Sequence, residues 1–185
     1  LIITMKKFVV FDRDGTLINH VNYLHKPSDV ILLNSVKESL RKISSNKNYK
    51  FFLHTNQSGV FRKYFKLSDV HKCNSKMISL LGYGKDFFSD ICISTENPED
   101  SINTTRKPSG VFAKKIIKSN NIKPTNLFYI GDNISDMLTA KNVGCHVLEL
   151  KNKNYDLVNY DFNYNKIKIF KNFSNIINYL IEYNE

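Results

Sequence analysis

Hydrophobic and polar positions follow two rhythms along the chain. Lys7–Asp12 (KFVVFD), Lys50–Thr55 (KFFLHT) and Leu127–Gly131 (LFYIG) are short apolar runs suited to strands buried on both faces. Phe88–Ser94 (FSDICIS) and Cys145–Leu150 (CHVLEL) are further strand candidates. Between them the spacing turns helical. Val36, Leu40 and Ile43 mark a helix over Asn34–Ser45, and Ser68 can cap one that runs to the Gly82-Tyr83-Gly84 stop. Ser109–Ser119 and Ser135–Asn142 complete the alternation, with Asp14-Gly15 and Asn56–Gly59 as breaks. Lys166–Phe170 reads as a last edge strand and Phe173–Tyr183 as a closing helix. Short apolar strands alternating with amphipathic helices predict an α/β fold around a parallel sheet. With no internal repeat and no long linker, residues 1–185 are expected to form a single domain. Its core spans about 7–150, and 151–185 is an extension packed on it.

Composition narrows the class. The 185 residues are 42% apolar, enough for a full core, and no apolar run approaches the roughly 18 residues of a membrane span. At the start, Leu1–Thr4 precede Lys6 and Lys7, the reverse of a secretory signal, so no membrane role is expected. Cys73, Cys92 and Cys145 stand far apart and form no CxxC pair, which suits a reducing compartment and predicts a cytoplasmic protein. The net charge of +10 raises a nucleic-acid role, but 23 of the 27 basic residues are Lys, dispersed and matched by 23 Asn. Nucleic-acid surfaces favour Arg for bidentate contacts. That role is therefore disfavoured, and each of the four Arg needs its own account.

Ligands of a parallel sheet bind at the carboxyl ends of its strands. There the chain places Asp12-Arg13-Asp14-Gly15-Thr16, Thr55-Asn56-Gln57-Ser58-Gly59 and Gly131-Asp132-Asn133, with Asp136 four residues beyond Asp132 and Arg106-Lys107-Pro108 before a helix. Each segment alone is an ordinary turn or cap. Together they bring carboxylates, a hydroxyl and a Lys to one edge, where like charges raise each other's pKa unless a cation intervenes. A hard divalent ion with oxygen ligands resolves the conflict, and Mg²⁺ favours few carboxylates plus a phosphate. The pattern points to magnesium-dependent phosphoryl transfer.

These segments resemble the four motifs of the haloacid dehalogenase superfamily of phosphatases: Asp12–Thr16, Thr55, Lys107, and Gly131-Asp132 with Asp136, in the family's order. FDRDGTLIN, Tyr23–Pro27, TNQSGV and RKPSG are similar to the D-glycero-D-manno-heptose 1,7-bisphosphate phosphatases, with histidinol-phosphate phosphatases as near relatives. The resemblance implies a three-layer, Rossmann-like fold without a large cap domain, and a phosphoric monoester hydrolase. It implies Asp12 as nucleophile, Asp14 as general acid and base, and Thr55 and Lys107 as phosphoryl-stabilising groups. Mg²⁺ would be held by Asp12, Asp132 and the carbonyl of Asp14, with Asp136 supporting. Arg106 is expected to grip substrate, and Arg13, Asn56 and Gln57 to contact it.

Two departures stand out. In close relatives a structural zinc loop precedes the Arg-Lys pair. Here Cys92 keeps its start, Ser94 replaces a His, and Thr104 and Thr105 lie where cysteines would be sought. One Cys cannot hold tetrahedral zinc, so no zinc is expected and the loop is ordered by other means or mobile. RKPSG is also about one residue shorter than the usual form. The five His form no ligand spacing and read as ordinary residues. The expected activity is hydrolysis of a small phosphorylated substrate by a monomer. Heptose 1,7-bisphosphate comes first and histidinol phosphate is the alternative. A polynucleotide 3′-phosphatase is a weaker option, and an inactive scaffold is disfavoured because every acidic catalytic position is present.

Overall fold

The computed structural model describes residues 6–100, 104–151 and 164–183. The opening Leu1–Thr4, part of the polar stretch before Arg106, and part of the extension lie outside the described residues. The chain runs β1 (Lys7–Phe11), α1 (Val36–Arg41), β2 (Tyr49–Asn56), α2 (Ser58–Phe61), α3 (Leu67–Leu81) and β3 (Phe88–Ser94). It continues through α4 (Val111–Asn120), β4 (Leu127–Gly131), α5 (Ile134–Val143), β5 (His146–Leu150), β6 (Ile167–Phe170) and α6 (Phe173–Glu182).

The six strands form one sheet in the order β3-β2-β1-β4-β5-β6, and every pairing is parallel. A strand buried on both faces sends alternate side chains to opposite layers, and β1 does so. Val9 and Phe11 pack with α1, α3 and α6, while Phe8 and Val10 pack with α4 and α5. This is the three-layer arrangement. Residues 15–35, between β1 and α1, form a loop with one short turn at Pro27–Asp29, so no cap domain is inserted there.

Local chemistry explains where elements differ from expectation. α3 begins at Leu67 rather than Ser68, because the Asp69 carboxylate accepts the Lys66 N–H at 3.1 Å. It stops where Gly82 adopts φ +81°. Asn56–Gly59, read as a turn, includes the start of the four-residue α2. The C-terminal segment docks through β6 on β5, and through Lys7, whose Nζ donates to Leu180 O and Tyr183 O, both at 2.6 Å, at the end of α6. Among the described residues no helix is long and apolar enough to cross a membrane.

Candidate active site

The sheet reverses its winding between β1 and β4, which opens a crevice at their carboxyl ends. Asp12 follows β1 and Asp132 follows β4, and the Asp12 N–H is held by Ile130 O at 2.8 Å. Two glycines let the carboxylates close in. A Cβ on Gly15, at φ +85°, would lie 2.2 Å from Asp132 Oδ2, and one on Gly131 would lie 2.2 Å from Asp136 Oδ2. Only glycine fits such approaches.

Lys107 stands at the centre. Its Nζ donates to Asp12 Oδ1 at 2.5 Å and to Asp136 Oδ1 at 2.6 Å, and all three residues are buried. Burial pulls the ammonium pKa down, but the two carboxylates more than reverse that and hold Lys107 above the ordinary lysine range. Burial also pushes the Asp12 carboxyl up to about 7 against the pull of Lys107, with Asp136 and Asp14 adding to the rise. Asp136 is raised for the same first reason. Its Oδ2 accepts the Asn133 N–H at 3.2 Å at the start of α5, so both of its oxygens are engaged.

Asp14 is held from three sides. Arg13 donates through Nε at 3.0 Å and Nη2 at 3.2 Å, Gln57 Nε2 donates at 3.0 Å, and the Thr55 hydroxyl reaches 3.4 Å. Arg13 and Gln57, expected to contact substrate, are thus engaged with Asp14, and both also line the lobe that adjoins the cavity. Both are buried, with Arg13 only 1% exposed, because the Asp14 charge and Asn74 Oδ1, at 2.8 Å, turn the guanidinium inward. Asn56 is likewise engaged. Its side-chain amide donates to Lys107 O and accepts from Lys107 N–H, both at 3.0 Å, although it still lines the cavity.

The cavity above these groups measures about 340 Å³ and is lined by Asp12, Asp14, His20, Thr55, Asn56, Arg106, Lys107, Asp132, Asn133 and Ser135. An adjoining lobe of about 360 Å³ shares Asp14, His20 and Asn56 and extends to Tyr23 and Phe65. The site thus unites Asp12, Asp14, Thr55, Arg106, Lys107, Asp132 and Asp136. Sequence reasoning passed over Asn74, whose signal is a polar side chain on the apolar stripe of α3 that also carries Val70, Cys73 and Met77. It also passed over Glu149, an acid within the apolar run of β5, buried to 2% exposure and raised in pKa by that burial.

Asp12, Asp132 and Asp136 each bring a carboxylate oxygen within 4.8 Å of the others. Buried, oxygen-only donors with an elevated carboxyl pKa suit a hard divalent cation. Both Asp136 oxygens are already engaged, Oδ1 by Lys107 and Oδ2 by the Asn133 N–H, whereas Lys107 takes Oδ1 of Asp12, so Asp12 and Asp132 are the side chains better placed to carry it. The Asp14 side chain is turned to Arg13, so the metal contact that the family resemblance implies for this residue would fall to its main-chain carbonyl.

The profile of the polynucleotide kinase 3 phosphatase family matches residues 7–175. The D-glycero-alpha-D-manno-heptose-1,7-bisphosphate 7-phosphatase of Campylobacter jejuni is 30% identical over 178 residues, covering 95% of this chain and 96% of that protein. The histidine biosynthesis bifunctional protein HisB of Bacteroides fragilis is 33% identical over 151 residues, 80% of this chain, which spans only 40% of HisB. The fold matches the crystal structure of D,D-heptose 1,7-bisphosphate phosphatase from B. bronchiseptica complexed with magnesium and phosphate. That match has a TM-score of 0.83 and 19% identity, covering 95% of this chain and 98% of that one. A fold, a site and a family profile that agree over nearly the whole chain make it a member of the polynucleotide kinase 3 phosphatase family, among the haloacid dehalogenase-like phosphatases.

Proposed function

We propose that this chain is a magnesium-dependent phosphatase that hydrolyses D-glycero-D-manno-heptose 1,7-bisphosphate through an aspartyl-phosphate. The observation that carries the chemistry is the Lys107 ammonium between Asp12 and Asp136, beside an Asp14 pinned by a buried Arg13. The substrate rests on the Campylobacter jejuni relative, which shares nearly its full length with this chain. Histidinol phosphate is the second reading, supported by the HisB match.

In this reading the Asp12 carboxylate attacks phosphorus in line, and the bond to the leaving oxygen breaks. Asp14, its carboxyl oriented by Arg13 and Gln57, gives that oxygen its proton. It then takes a proton from water, which attacks the phosphoryl group and frees Asp12 and inorganic phosphate. Lys107 offsets charge on Asp12 and on the transferring group, and Thr55 donates a hydrogen bond to that group. Arg106, lining the cavity, grips the substrate. Mg²⁺ held by Asp12, Asp132 and the Asp14 carbonyl would favour the ionised nucleophile and neutralise phosphoryl charge. One protomer carries every group named, which supports a monomer acting as one catalytic domain.

Purified protein should release phosphate with Mg²⁺ from heptose 1,7-bisphosphate faster than from histidinol phosphate or a 3′-phosphorylated oligonucleotide. Asp12→Asn should release none. Preference for either competing substrate would reassign the specificity, and full activity in Asp12→Asn would end the covalent mechanism.

A further inference from the structure

Thr105 is the residue before Arg106, and each of its polar groups is held. Its N–H donates to Glu96 Oε1 at 2.8 Å, its hydroxyl donates to the same oxygen at 2.6 Å, and its carbonyl faces His54 Nε2 at 2.9 Å. Glu96 in turn accepts the Ser94 hydroxyl through Oε2 at 2.5 Å, which ties the assembly to the end of β3. Burial works against charge on Glu96, but the Ser94 and Thr105 hydrogen bonds outweigh it and bring its pKa down to about 2.

His54 is fully buried on β2, and burial together with the Lys107 charge pushes its pKa down to about 3. The ring is therefore neutral and carries one N–H. With that N–H on Nε2 donated to the Thr105 carbonyl, Nδ1 accepts from the Tyr129 hydroxyl, and the tautomer is fixed. Thr105 is thus fastened to β3 through Glu96 and to β2 through His54.

What depends on this fastening is Arg106 rather than Lys107. The Lys107 main chain is held independently on both sides by Asn56. Arg106 has no such bracket from another strand: its N–H donates to Thr104 Oγ1 at 3.0 Å and its carbonyl accepts the Ser109 N–H at 2.8 Å, both within its own loop. Arg106 lines the cavity, and its Nη1 is buried without a hydrogen-bond partner. A buried cationic donor lacking a partner is costly unless a ligand supplies one.

We propose that Glu96 and His54 are positioning residues that, by clamping Thr105, aim Arg106 at the bound substrate. The proposal rests on Arg106 as a substrate contact. It predicts a binding defect without a chemical one. Glu96→Ala should raise KM about tenfold and change kcat by less than about twofold, since Lys107 keeps its own supports. His54→Phe should show the same pattern. Glu96→Gln keeps a carbonyl oxygen that can face Thr105 and should restore most of the lost affinity. In an Arg106→Ala background, Glu96→Ala should have almost no further effect, because residues acting as one unit are not additive.

Labelling of Arg106 by phenylglyoxal, read by mass spectrometry, tests the clamp without any substrate. Glu96→Ala should label several times faster than the parent protein. If that variant fails to fold, Thr105→Val, which deletes one of the two hydrogen bonds that Thr105 donates to Glu96, gives the same readouts at smaller size. Equal labelling, or a Glu96→Ala effect that multiplies fully with Arg106→Ala, overturns the clamp. Faster labelling in a protein that hydrolyses no phosphomonoester would uphold the clamp and refute the proposed activity.

Discussion

Freed of divalent metal, the protein should lose stability as pH rises through neutrality, the reverse of ordinary acid denaturation. The cause is Asp12, which is 7% exposed and whose carboxyl burial raises to about 7 from the ordinary 3.8. Between those values the unfolded chain is ionised while the folded site keeps its proton. The stabilisation from this group is complete below about pH 4 and disappears as pH climbs through about 7. The interval from 3.8 to about 7 corresponds to about 4 kcal/mol. A cation on Asp12 and Asp132 favours the ionised form, so its binding displaces the proton. Below about pH 7 the apparent Mg²⁺ affinity should weaken about tenfold per pH unit.

Chemical denaturation from about pH 5 to about pH 8, in chelator and in Mg²⁺, measures both effects, and Asp12→Asn isolates them. Other groups slope the opposite way. Glu96, lowered to about 2, stabilises above the ordinary carboxylate range and loses that contribution as pH falls. The difference between parent and variant removes such terms. In chelator the variant should be about 1–2 kcal/mol more stable near pH 5, and the difference should grow to about 4 kcal/mol at about pH 8. Parallel curves for the two proteins, or Mg²⁺ stabilisation that is the same at both ends, would refute the reasoning.

Lys107→Met should cost about 3–5 kcal/mol near pH 8, because two buried carboxylates lose their shared cation, and the cost should shrink toward pH 5 as they take up protons. Denaturation curves at the two pH values check this, and a pH-independent cost contradicts it. Gly131→Ala should lower stability by about 1–3 kcal/mol and depress kcat more than it raises KM. Its Cβ would stand 2.2 Å from Asp136 Oδ2 and force that carboxylate away from Lys107. Unchanged kcat would show that Asp136 does not set the lysine's position.

Where hydrophobic burial alone determines an element, sequence patterning was sufficient. β4 is buried along its whole length and its apolar run has the same bounds. Short-range electrostatics moved the ends of others. α3 gains its first residue from the Asp69–Lys66 contact, and α2 is too brief for any period to register. The carboxylates of the candidate site were legible because Asp12, Asp14 and Asp132 stand just past strand ends, whose convergence follows from a parallel sheet. The direction of Arg13 was not. A guanidinium between two aspartates can point to solvent or inward, and the choice depends on Asn74, 61 positions away. The hold on Asn56 was no more legible, since its partner is the main chain of Lys107, 51 positions on.

The loop before Arg106 shows how one structural demand admits different chemistry. A cation that organises a substrate needs a rigid main chain beneath it, and a metal knot of Cys and His is one way to supply that. Here Ser94, Thr104 and Thr105 occupy the positions where such ligands were sought, and all three carry hydroxyls that form hydrogen bonds. Ser94 and Thr105 donate to Glu96, and Thr104 accepts the Arg106 N–H. A carboxylate is an acceptor only, so Glu96 can gather several donors around one centre much as a cation gathers acceptors. Glu96 also favours the charged form of Arg106, whose guanidinium burial would otherwise disfavour. The carboxylate thus holds the loop and steadies the cation in the same place.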